Sequence, residues 1–169
     1  KKELTKANIF DWQCKICTVP QNIILSDASI SQNIALGEPK EKILSSRVKK
    51  AAEKAQLSEY VEALPEKYET EVGERGLRLS GGQRQRIGIA RALYRGGEVM
   101  FLDEATNALD MKTEDKILNI IKDLNEDLTL VIVAHNIETI KDCDKVIIMK
   151  EGEIAEYGTY EDISNTESF

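Results

Sequence analysis

The chain of 169 residues has no apolar run approaching the length of a bilayer-spanning helix. Its opening residues, KKELTKANIF, carry charge but lack the apolar core of a signal peptide. Both absences point to the cytoplasm as the compartment. Positive charge is in deficit, since 23 Lys and Arg face 30 Asp and Glu for a formal net charge of -7. That balance argues against nonspecific binding to nucleic acid or to an anionic membrane. The local cluster Arg84, Arg86, Arg91 and Arg95 reads as one face of a helix rather than a binding patch. Cysteine is sparse, with Cys14 and Cys17 in a lone C-x-x-C and Cys143 remote. A structural zinc usually needs four ligands, and KICTV reads as a strand, on which residues three apart point to opposite faces. The thiols are therefore read as inert. Repeats and long linkers are missing as well.

What is present suits one globular domain with a real core, at 41% hydrophobic and 31% charged residues. Short strand patterns alternate with helical ones, which predicts α/β packing around a largely parallel sheet. The first strand is expected at 15–19, stopped by Pro20, and a short helix near 31–35. Residues 41–64 read as helical, rich in Ala, Glu and Lys, and end before Pro65. A helix is expected over 83–94, with Ile87, Ala90, Leu93 and Tyr94 at helical spacing. Four consecutive apolar residues, Val99 to Leu102, predict a central strand buried on both faces. A helix follows at 113–124, then a second buried strand in LTLVIVAH. The sequence KEG between 145–149 and 153–157 predicts a C-terminal antiparallel hairpin.

The chemistry-bearing residues collect around these elements. In LSGGQRQR, Leu79 to Arg86, two glycines open a helix although each costs roughly 1 kcal/mol there relative to alanine. Ser80 stands at the N-cap with Gln83 three residues on, so a capping box is available. Gly81 and Gly82 then leave helix-start N–H groups open to an anion such as phosphate. An ordinary capped helix with a flexible entry reads the same pattern equally well. Asp103 and Glu104 close the buried strand at its carboxyl end, where open α/β sheets bind ligands. One carboxylate can hold magnesium while the other orients or deprotonates water; a pair of solvated turn acids is the plainer reading. His135 ends the next strand and Gln21 follows the first, which brings both to the same edge of a parallel sheet. Four polar groups converging there favour a nucleotide phosphate site.

Taken in order, these motifs resemble the nucleotide-binding domain of an exporter-type ABC transporter. Leu79, Ser80, Gly81, Gly82 and Gln83 resemble the family signature, and VMFLDEAT resembles its Walker B strand. The resemblance makes Asp103 the magnesium aspartate and Glu104 the catalytic glutamate. NALD resembles the D-loop, with Asn107 where serine is usual and Asp110 its aspartate. His135 matches the switch histidine, followed by Asn136 instead of the usual arginine. Gln21 matches the Q-loop glutamine that senses the metal. TEVGERG, residues 70–76, resembles the X-loop beside the membrane domain, with Glu71 a contact. The likeness runs from about residue 5 to 163.

It implies a P-loop NTPase-like ABC ATPase core, incomplete over 1–169, with a helical signature subdomain at 22–82. ATP and magnesium are the implied cofactors. The implied partners are a second nucleotide-binding domain in a head-to-tail dimer and a transmembrane domain, at the cytoplasmic face of a membrane, with no nucleic acid. One family element is missing: nowhere does the chain read G-x-x-x-x-G-K-[ST]. By resemblance the strand carrying that Walker A loop lies inside the sheet, next to the Walker B strand. The chain thus looks like the C-terminal two-thirds of the domain, inactive by itself. A soluble non-transport ABC-type ATPase, a truncated dimerisation or regulatory module, and an α/β domain with decayed motifs are the alternatives.

Overall fold

The computed structural model describes residues 3–73, 79–104, 119–120, 128–134 and 137–164. The chain divides into two compact units, Lys1–Val133 and Ala134–Phe169.

In the first unit three strands form a parallel sheet: β1 (Ile16–Val19), β2 (Val99–Asp103) and β3 (Thr129–Val133), in the order β1-β2-β3. The apolar run of β2 lies between its two neighbours, with Met100 and Leu102 fully buried. Both hydrogen-bonding edges of β2 are therefore occupied. This corrects the expectation of a further strand beside it: the sheet can grow only outside β1 or β3. The strand expected in LTLVIVAH is found, but it is not buried on both faces. Leu130 and Ile132 pack against the core, while Val131 and Val133 are 37% and 49% exposed. A continuous apolar run shows that a strand is covered somewhere, not which face is covered here.

Helices line the sheet and fill the span between β1 and β2. A short α1 (Ile9–Cys14) precedes β1 and buries none of its residues. Next comes α2 (Ile30–Ile34), started by a capping box in which Ser29 and Gln32 bond reciprocally. The helical stretch expected over 41–64 is broken into a 3-10 turn, Lys40–Lys42, then α3 (Ser45–Lys54) and α4 (Ser58–Glu62). The cause of the break is local. Gln56 has a φ of 49°, Leu57 N–H bonds Ala52 O at 2.8 Å, and Gln56 N–H bonds Glu53 O at 2.9 Å. These are the two bonds of a Schellman stop, made here with Gln in the left-handed position that glycine usually fills.

The longest helix among the described residues, α5 (Gly81–Arg95), places Ile87, Ile89 and Ala90 in the core cluster with Val48 and Ala52 of α3 and Ile34 of α2. Apolar residues at helical spacing account for that placement. The helix expected over 113–124 lies outside the described residues apart from 119–120.

The second unit holds α6 (Ile137–Ile140), the antiparallel hairpin β4 (Val146–Lys150) and β5 (Glu153–Gly158), and α7 (Tyr160–Ser164). Glu151 and Gly152 turn the hairpin with φ of 51° and 82°, the two successive left-handed residues that a tight hairpin turn requires. Among the described residues no helix is long and apolar enough to cross a membrane.

Candidate functional site

The parallel register fixes where the polar groups emerge. Val19 pairs with Leu102, and Asp103 with Val133, so the three strands end at one edge. Gln21 leaves β1 there and Glu104 leaves β2. Gln21 Nε2 donates to Glu104 Oε2 at 2.8 Å. The Glu104 backbone N–H donates to Val133 O at 3.0 Å, which ties the end of β2 to the end of β3. Glu104 carries a φ of 45°, a left-handed backbone uncommon for a non-glycine residue and concentrated at functional sites. Its side chain is half-buried, and that of Asp103 is exposed. His135, Asn136, Asn107 and Asp110 lie outside the described residues.

The donor chemistry here suits a hard cation. The Asp103 carboxylate is open to solvent, and Gln21 offers an amide oxygen because its nitrogen faces Glu104. One carboxylate with a neutral oxygen is a fitting protein share for magnesium, which takes its other ligands from phosphates and water.

The glycine turn opens α5. Ser80 is the N-cap of α5, and its Oγ accepts from Gln83 N–H at 3.2 Å while Gln83 Oε1 accepts from Ser80 N–H at 2.8 Å. The capping box is formed as the local sequence predicts. Leu79 and Gly82 are buried, whereas Ser80 and Gly81 are exposed, so Ser80 and Gly81 form the open face of the turn. Among the described residues no hydrogen bond joins Leu79–Gln83 to Gln21, Asp103 or Glu104. The structure thus brings Gln21 to Glu104. Glu71, in the segment predicted as the X-loop, is exposed and forms an isolated antiparallel bridge with Ser29; residues 74–76 lie outside the described residues.

Sequence reasoning missed the use of the arginines. Arg86 Nη1 donates to Gln56 O at 2.9 Å. Arg91 Nε donates to Asn33 O at 2.9 Å and its Nη2 to Ile24 O at 3.1 Å. Burial pushes both guanidinium groups below the ordinary arginine value. Both donate to backbone carbonyls. The one available signal was their spacing, which places Arg91 among the apolar residues of α5. Of the paired cysteines, Cys17 is buried, its thiol pushed up by desolvation, and Cys14 is exposed.

Comparison with known proteins extends this geometry to the chain as a whole. The family model described as "ABC transporter" matches residues 1–107. The chain is 40% identical over 166 residues to "ABC transporter ATM1" of Toxoplasma gondii, covering 98% of this chain and 14% of that protein. It is 38% identical to an "ATP-dependent lipid A-core flippase" of Cupriavidus metallidurans, covering 90% and 26%. With the solved "Structure of a bacterial Atm1-family ABC exporter with ATP bound" it shares a TM-score of 0.79 at 38% identity, over 89% of this chain and 26% of that one. The chain therefore spans from 14% to 26% of the length of these relatives. A parallel sheet with an amide and a carboxylate bonded at its carboxyl edge, a capped Ser-Gly-Gly-Gln turn and a match over most of the sequence agree on one conclusion: the chain belongs to the ABC transporter family.

Proposed function

We propose that this chain is the greater part of the nucleotide-binding domain of an ABC exporter, coupling ATP hydrolysis to movement of a substrate across a membrane. The observation that carries the reading is the 2.8 Å hydrogen bond from Gln21 to Glu104, at the edge of the parallel sheet where Asp103 also emerges. In this reading Glu104 orients the attacking water and accepts its proton, while Gln21 fixes the carboxylate. Asp103 and Gln21 would hold magnesium, which offsets phosphate charge when bound. His135 stands two residues beyond the end of β3 and would position the water.

The Ser80 turn, with Leu79, Gly81, Gly82 and Gln83, would act on nucleotide held by a second copy. There its helix-start N–H groups meet developing negative charge. Asp110 would sit at the same junction between the two copies. Residues 22–82 form the helical subdomain, and the surface near Gln21 and Glu71 meets the transmembrane domain at the cytoplasmic face. No nucleic acid takes part.

The test is ATPase activity of the full-length protein. Glu104→Gln should lower kcat by about 10²- to 10⁴-fold, the range supplied by a positioned general base, with ATP still bound. An unchanged kcat would overturn the reading.

A further inference from the structure

Gln21 reaches Glu104 from a segment without regular structure, since residues 20–28 form neither helix nor strand. Something else has to fix that backbone. Its far half is held by Asn33, which is fully buried: Asn33 Nδ2 donates to Ser26 O and Ala28 O, and its Oδ1 accepts from Ser26 N–H. The near half, next to Gln21, is held from α5. Arg91 Nη2 donates to Ile24 O, the one described hydrogen bond to the backbone of residues 22–25, and its Nε donates to Asn33 O. One guanidinium thus ties the near half to Asn33, the α2 residue whose side chain holds the far half. Three residues earlier on α5, Gly88 leaves room for Ile23. A Cβ at Gly88 would stand 2.3 Å from Ile23 Cδ1 and 2.8 Å from Cγ1.

We infer that Arg91 is a positioning residue, which ties the Gln21 segment to the helix that begins at the Ser80 turn and so aims Gln21 at Glu104. Gly88 assists by letting Ile23 lie against the same helix. The planar fork is what the task requires, because it spans two carbonyl oxygens in fixed geometry, whereas a lysine ammonium does not. The consequence is mechanical. A displacement of the Ser80 turn moves α5, and Arg91 carries that displacement to Gln21. The inference rests on the ATPase reading only for its kinetic readout.

The experiment uses the full-length protein in two arms. In the first, Arg91→Ala should lower kcat by about 10- to 100-fold, as displaced catalytic groups do, with the KM for ATP within about twofold. In a Gln21→Ala background the same change should add less than about twofold, because both act through one group. Gly88→Ala should lower kcat in the same way, and adding Ile23→Ala should restore it. In the second arm a nitroxide at Asn22→Cys, in a background free of other reactive thiols, should become more mobile on Arg91→Ala and stay ordered on Gln21→Ala. The inference is overturned if Arg91→Ala multiplies in full onto Gln21→Ala, or if the nitroxide remains immobile. A wild type without Glu104-dependent turnover would overturn the ATPase reading instead, and the nitroxide would still decide the role of Arg91.

Discussion

Gln21 and Glu104, 83 residues apart, are joined by a 2.8 Å hydrogen bond across the ends of two parallel strands. The bond requires a donor facing an acceptor. Gln21→Glu replaces the donor with a second carboxylate, and two carboxylates at that distance resist ionising together. In the full-length protein the turnover of this variant should therefore fall, and further than that of Gln21→Ala, which removes the donor without adding a charge. Steady-state kcat of the three proteins checks this.

Ser80 carries the start of α5 as well as its proposed contact with nucleotide. Because its Oγ accepts from Gln83 N–H, Ser80→Ala should destabilise the protein by about 1 kcal/mol, and Ser80→Gly by only a few tenths. Urea unfolding of the two variants measures the difference. A Ser80→Ala midpoint equal to that of the wild type would show that the cap contributes nothing.

The features legible in the sequence are those fixed over a few residues. Ser80 with Gln83, Val99–Leu102 closed by two acids, and the KEG turn each specify their own geometry, and all three formed. Gln21 and Glu104 were placeable on one edge because parallel strands all end there. Whether they touch depends on register, which no local pattern carries. The stop at Gln56 was hidden because the residue marking it is not the glycine that a left-handed position favours. Arg91 was hidden for another reason: its partners, Ile24 and Asn33, are 67 and 58 residues away. The half-open face of β3 lies equally beyond a local reading, since Val131 and Leu130 look alike in sequence and face opposite environments.

The Gln56 stop makes its own prediction. A non-glycine residue in a left-handed backbone costs roughly 1–2 kcal/mol, partly offset by the greater freedom glycine has when unfolded. Gln56→Gly should therefore stabilise the fold by about 0.5–1 kcal/mol, and the Arg86 guanidinium bond to the residue-56 carbonyl should survive because it uses only the backbone of that residue. Gln56→Val, β-branched, should destabilise instead. Chemical denaturation of the pair reads the sign directly.

At the start of α7, Asp162 Oδ2 accepts from the Thr159 hydroxyl at 2.7 Å and from its N–H at 2.9 Å. These two bonds, hydroxyl first, hold the carboxyl below its ordinary 3.8, with Lys145 adding a smaller push. A depressed carboxylate stabilises the folded state fully above pH 3.8. That contribution disappears as pH falls through the lower folded value. NMR titration of Asp162 should give a midpoint under 3.8, and Thr159→Val should move it back up. Loss of the α7 amide signals should follow the same midpoint.

The 169 residues contain the groups proposed to act on water but no G-x-x-x-x-G-K-[ST] loop to grip phosphate. Backbone N–H groups and the lysine of such a loop hold the terminal phosphates where attack occurs. Without them Gln21 and Glu104 face a triphosphate that nothing fixes in line, and positioning is most of what catalyses phosphoryl transfer. The 169-residue chain by itself should therefore turn over ATP no faster than its Glu104→Gln variant. It should bind Mg-ATP no more tightly than a Kd of about 1 mM, which corresponds to about 4 kcal/mol. Equilibrium dialysis and a coupled phosphate-release assay measure the two quantities. A steady rate that scales with the chain and vanishes on Glu104→Gln would show that some other group in these residues holds the phosphates.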